Sequence, residues 1–151
     1  ISASAQLGIM LSGAPREFIE PMRNYGEKVG VAFQLIDDVI DISEAGPSGK
    51  TPGTDLRAGV PTLPILLLRK AAAAGDTEAV SLLALIDGGL QDDSRLQEAL
   101  IRLRAHEVFE LSYLEAKRWA DEAVEDISVL PDGSVKNALA LFAQAVVERQ
   151  S

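Results

Sequence analysis

The sequence has 151 residues and a mass of 16.1 kDa, the length of one domain with room for a sizeable core. Its 14 Lys and Arg against 23 Asp and Glu leave a net charge of −9, which argues against a nucleic-acid partner, because phosphates call for a basic face. The absence of Cys, the single His and an apolar fraction of 47% exclude a disulfide scaffold, thiolate or His-rich metal sites and a disordered chain.

The chain opens at Ile1, without Met, inside the apolar stretch ISASAQLGIMLSG. No basic segment precedes that stretch, so it does not read as a signal peptide. It reads as an internal helix whose start lies upstream, which makes the chain an expected piece of a longer protein. The helix covers residues 2–11 and stops near Gly13. Pro15 suits the start of a long helix reaching Ile42, with Pro21 as a point where it could break. Residues 43–61 hold four Gly and three Pro and read as a long loop of the functional or disordered kind. Thr62 is the expected N-cap of TLPILLLRKAAAA, which Gly75 ends. Asp76 caps residues 77–87, and Gly88-Gly89 stops them. A helix from Asp92-Asp93 carries Leu96, Leu100 and Leu103 at steps of three and four. A further helix spans about 107–130 up to Pro131-Asp132-Gly133, and a last one spans 134–148. No strand alternation and no apolar run of the ~20 residues that span a bilayer occurs. The expectation is an all-α domain of about seven close-packed helices.

The segment that carries chemistry is Gly26–Ile42, GEKVGVAFQLIDDVIDI. At ~100° per residue, Asp41 falls ~40° and Asp38 ~100° from Asp37. Gln34 lies at ~60°, Phe33 at about −40°, and Gly26 and Gly30 within ~20°. The remainder from Val29 onward (Val29, Val31, Ala32, Leu35, Ile36, Val39, Ile40 and Ile42) is apolar, so the helix is expected to be buried with its polar arc facing a cleft. Asp37 and Asp41, one turn apart, raise each other's pKa and sit at the negative end of the helix dipole. Both penalties point to a cation, and an oxygen-only donor set selects Mg²⁺ or a similar ion. Such an ion keeps waters and completes its shell with phosphate oxygens. In the loop, Lys50 and Arg57 are candidate cations for a diphosphate, and the glycines allow close backbone approach. Phe33 offers a π-face to an apolar or cationic carbon.

Plainer readings exist for each part. A DDxxD alone is usually a solvated helix face, glycines permit tight helix packing, Phe33 is core, and Lys50 is an exposed loop lysine. What favours a site is the joint pattern, carboxylates on an otherwise apolar helix followed at once by a Gly/Pro loop bearing Lys. Elsewhere the plain reading holds. His106 is a polar surface or capping residue, Asp92-Asp93, Asp121-Glu122 and Glu125-Asp126 are caps and solvated faces, and Trp119 and Phe142 are core or interface.

Phe33-Gln34, Asp37-Asp38-x-x-Asp41, Gly49-Lys50-x-x-Gly53-x-Asp55-Leu56 and Thr62-Leu63-Pro64 together resemble the second aspartate-rich region of the trans-isoprenyl (polyprenyl) diphosphate synthases. The resemblance covers the whole chain, from Leu7-Gly8-x-Met10-Leu11-Ser12-Gly13 to Lys136, Ala138-Leu139 and Glu148-Arg149. It implies a helical bundle of the isoprenoid synthase type, and a prenyltransferase joining an allylic diphosphate to isopentenyl diphosphate. By the resemblance, Asp37, Asp38 and Asp41 hold Mg²⁺ against the allylic diphosphate, and Lys50 contacts it. Phe33 and Gln34 line the substrate site, Asp37, Asp38 and Lys50 carry catalysis, and Asp55 orders the loop. It also implies a cytoplasmic homodimer, with no membrane association indicated.

Two features depart from the family. Val60 stands where many members have Lys after a glycine. The first aspartate-rich motif and the Lys-Thr motif are absent from residues 1–151, so the chain is expected to be the C-terminal part of a synthase, inactive alone. Val60 keeps a non-catalytic partner subunit as an alternative, and a terpene cyclase of the same fold is another.

Overall fold

In a computed structural model of the chain, residues 1–44 and 51–149 are described. Among them the regular elements are all helical: α1 (Ser2–Leu11), α2 (Ile19–Ile42), α3 (Thr54–Ala58), α4 (Leu63–Ala73), α5 (Thr77–Asp87), α6 (Asp93–Ala105), α7 (Glu107–Asp126) and α8 (Ser134–Glu148). Short 3₁₀ turns at Arg16–Phe18 and Ile127–Val129 precede α2 and follow α7. The expected count of about seven falls short by α3, which lies inside the stretch read as one long loop. Pro21 does not break α2. It sits in the first turn, where a backbone N–H has no helical partner to lose.

The chain divides into two compact units, Ile1–Ile36 with Leu114–Arg149, and Asp37–Tyr113. In the first unit α2 buries Met22, Tyr25, Val29, Ala32 and Ile36, steps of three and four that keep one stripe of the helix out of water. Gly26 is where α1 meets α2, since a β-carbon there would lie 2.8 Å from both Ala5 Cβ and Ser2 Cα. The plain reading therefore holds for this glycine, which serves helix packing. The Tyr25 hydroxyl donates to the Leu139 carbonyl at 2.8 Å and ties α2 to α8. Lys28 pairs with Asp126 at 2.9 Å, so Asp126 is more than a solvated face. Phe142 is 50% exposed and is not core. Trp119 is half-buried, with Nε1 donating to Glu115 at 3.0 Å.

In the second unit α5 packs against α4 and α6 around Leu68, Leu82, Leu100 and Leu103, all fully buried. Asp76 caps α5 by accepting from Glu78 N and Ala79 N, and Asp92 caps α6 by accepting from Ser94 N and Arg95 N. His106 is not a surface residue, because its side chain is only 5% exposed. Its Nδ1 accepts from Val108 N at 3.3 Å, which assigns the proton to Nε2, 3.2 Å from the Asp76 carboxylate. The capping half of the expectation stands, and the Asp76 contact brings the start of α5 against the ring.

Replacing Gly26 by Ala should destabilise the protein by about 1 kcal/mol net, overpacking outweighing the gain in helix propensity. Gly8→Ala, where nothing lies within 4 Å, should instead stabilise it by roughly 0.5–1 kcal/mol. Thermal midpoints of the two variants check the opposite signs.

Burial pushes the Tyr25 phenol up to about 12 from its usual 10.0, so the unfolded chain gives up that proton first. Stability from this group is intact below pH 10.0 and is lost as pH rises towards about 12. Denaturant midpoints across that window should fall less steeply in Tyr25→Phe than in the unchanged protein.

Candidate functional site

The aspartates occupy the last turns of α2, where the helix leaves its final carbonyls unpaired. Asp37, Asp38 and Asp41 are each half-buried. Two of them reach the starts of later helices. Asp38 Oδ2 accepts from Leu63 N at 2.9 Å, the first residue of α4. Asp41 accepts from Asp55 N at 3.2 Å on both oxygens and from Leu56 N at 3.3 Å, in the first turn of α3. The backbone carbonyl of Asp41 also accepts from Gly53 N at 2.6 Å. Asp38 does the work expected of Thr62, whose side chain makes no capping bond. The role expected of Asp55, ordering the loop, is taken by its backbone N–H.

Burial raises the Asp41 pKa, the N–H donors of Asp55 and Leu56 oppose that, and the Asp55 charge adds to the rise. The like-charge penalty expected from Asp37 thus comes from Asp55. Among the described residues no three acidic or histidine side chains converge closely enough to hold a metal ion. By chemistry the set still suits a hard cation, because every donor is a carboxylate oxygen.

The other predicted residues are placed as follows. In the first unit Phe33 is 39% exposed and Gln34 is exposed, so this part of the arc is open rather than enclosed. The Phe33 π-face does meet a cation, but one from the chain itself. The Arg149 guanidinium lies 3.9 Å from the ring centroid, and Nη2 donates to the Phe33 carbonyl at 3.1 Å. The sequence reading missed this contact. The available signal was a basic residue closing the last helix. In the second unit Arg57 pairs with Asp93, which engages that candidate cation elsewhere. Lys50 lies outside the described residues.

A family model for polyprenyl synthetases matches residues 1–102. A nonaprenyl diphosphate synthase of Mycobacterium tuberculosis is 40% identical over 150 residues, 99% of this chain and 44% of that protein. An octaprenyl diphosphate synthase of Haemophilus influenzae is 32% identical over 149 residues, again 44% of its own length and 97% of this chain. The crystal structure of a geranylgeranyl pyrophosphate synthase from Corynebacterium glutamicum, complexed with calcium and isoprenyl diphosphate, matches with a TM-score of 0.86 at 35% identity. That match covers 97% of this chain and 45% of the other. The chain therefore spans less than half the length of these relatives, and its fold is all-α, of the isoprenoid synthase type.

Arg149→Ala should remove both the ring contact and the hydrogen bond, lowering stability by about 1–2 kcal/mol and loosening the end of α8. Amide exchange over residues 144–148 checks it, and Arg149→Lys should recover only part of the protection.

Proposed function

Because this chain belongs to the polyprenyl synthetase family, we propose that it forms part of a prenyltransferase that joins an allylic diphosphate to isopentenyl diphosphate, giving a linear polyprenyl diphosphate. The observation that carries this reading is the end of α2, where Asp38 and Asp41 draw the chain on either side of residues 54–62 back to the carboxylate cluster. The segment that carries Arg57 and Gly59 is thereby brought back to two carboxylates, the donor type that suits a hard cation.

Asp37, Asp38 and Asp41 would hold Mg²⁺. Bound there, the ion would neutralise diphosphate oxygens as the allylic C–O bond breaks and diphosphate departs with the electron pair. The π-electrons of the isopentenyl double bond then form the new C–C bond, and loss of a proton restores an alkene. Lys50, from its sequence position, would add positive charge to the leaving diphosphate, and Gln34 would orient substrate. Phe33 would present its ring to substrate carbons, with Arg149 fixing the ring's pose. The reading includes a cytoplasmic homodimer, supported by the family resemblance. It is also consistent with the finding that no helix among the described residues is long and apolar enough to cross a membrane.

Asp37→Ala in the full-length gene product should lower Mg²⁺-dependent turnover by about two orders of magnitude or more, with its thermal midpoint little changed. The assay is incorporation of labelled isopentenyl diphosphate into linear product. Near-normal turnover in that variant would overturn the proposal, and a cyclic hydrocarbon product would assign the chain to terpene cyclisation instead.

A further inference from the structure

We propose that Asp38 and Asp41 are positioning residues, which set where α3 and the start of α4 sit against the C-terminal end of α2. The catalytic consequence rests on the prenyltransferase reading, whereas the anchoring does not. All the atoms concerned belong to the second compact unit.

α3 has five residues, too few to hold its own helical form in water. Its N-cap, Gly53, supplies no side chain, and among the described residues the acceptor for its first-turn N–H groups is Asp41, at 3.2–3.3 Å. Gly53 is buried, adopts φ +80°, and would bring a β-carbon to 2.8 Å from Leu96 Cδ1. The chain there is held on one side by Asp41 and on the other by the α6 core. At the far end of α3, Val60 N closes back to the Asp55 carbonyl at 3.0 Å. Thr62 is buried without capping α4, and Asp38 supplies that acceptor from a helix turn away.

Asp38 and Asp41 are three residues apart, hence neighbours on one side of α2. Their two contacts fix both ends of the 54–62 segment from a single helical surface. Carboxylates near a helix C-terminus face an unfavourable dipole, and the positive N-terminal ends of α3 and α4 offset it.

The test compares Asn and Ala at each position in the full-length gene product, since Asn keeps a neutral acceptor oxygen and Ala has none. Amide exchange is measured first without metal or substrate. Exchange over 54–58 in Asp41→Ala, and over 62–66 in Asp38→Ala, should rise by about tenfold or more, while the Asn variants should stay near the parent. Turnover with Mg²⁺ is measured second, and each Asn variant should exceed its Ala counterpart by about tenfold, chiefly in kcat. Unchanged exchange in the Ala variants would overturn the proposal. So would Asn variants that lose protection as Ala does, and this arm decides the matter if an Ala variant fails to fold. Equal turnover of Asn and Ala variants would overturn its catalytic consequence, by showing that only charge matters to turnover. Loss of the prenyltransferase reading would show separately, as turnover that survives Asp37→Ala while the exchange pattern stands.

Discussion

Two hydrogen-bonding clusters at the C-terminal end of α2 govern the unit that follows it. Asp41 binds the first turn of α3, and Asp38 binds the first residue of α4. A carboxylate half out of water, at the negative end of a helix, is unfavourable by itself. N–H groups at helix starts are the complementary partners, and each end satisfies the other. From α4 the packing passes to α5 and then to α6, whose Leu96 and Leu100 lie against the buried Gly53. The contacts thus form a loop that closes on the residues where it began.

The same carboxylates are the candidate chemistry of the protein. Their dual use has a physical logic, because the backbone N–H groups that donate to Asp41 oppose the rise that burial imposes on its pKa and at the same time fix where the carboxylate sits. α2 suits this task in its first unit as well. One stripe of the helix is buried at steps of three and four, and Gly26 lets α1 approach at backbone distance.

The parts of the fold legible in the sequence are those whose causes are local. Asp76 and Asp92 cap the helices that begin at the next residue, and the last helix runs over residues 134–148 as its periodicity predicts. Misreadings arose where a partner lies far along the chain. Thr62 looked like a cap because it precedes Leu63, but the acceptor is Asp38, 25 residues earlier. His106 looked like a surface residue, but its partner is Asp76, 30 residues away. Arg149 meets Phe33 across 116 residues, and a basic residue closing the last helix does not by itself name so distant a partner.

By itself, the sequence determined the helical class, most helix boundaries, the acidic arc of α2 and the resemblance to polyprenyl synthases, because periodicity, capping and motif spacing are properties of neighbouring residues. Only the tertiary structure decided that α3 forms inside an apparent loop, that Asp38 and Asp41 are bound by backbone N–H groups, and that Arg149 covers the Phe33 ring. Each depends on groups made adjacent by folding. A five-residue helix, a half-buried carboxylate and a stacked guanidinium persist only where distant partners supply the hydrogen bonds and contacts that water would otherwise provide.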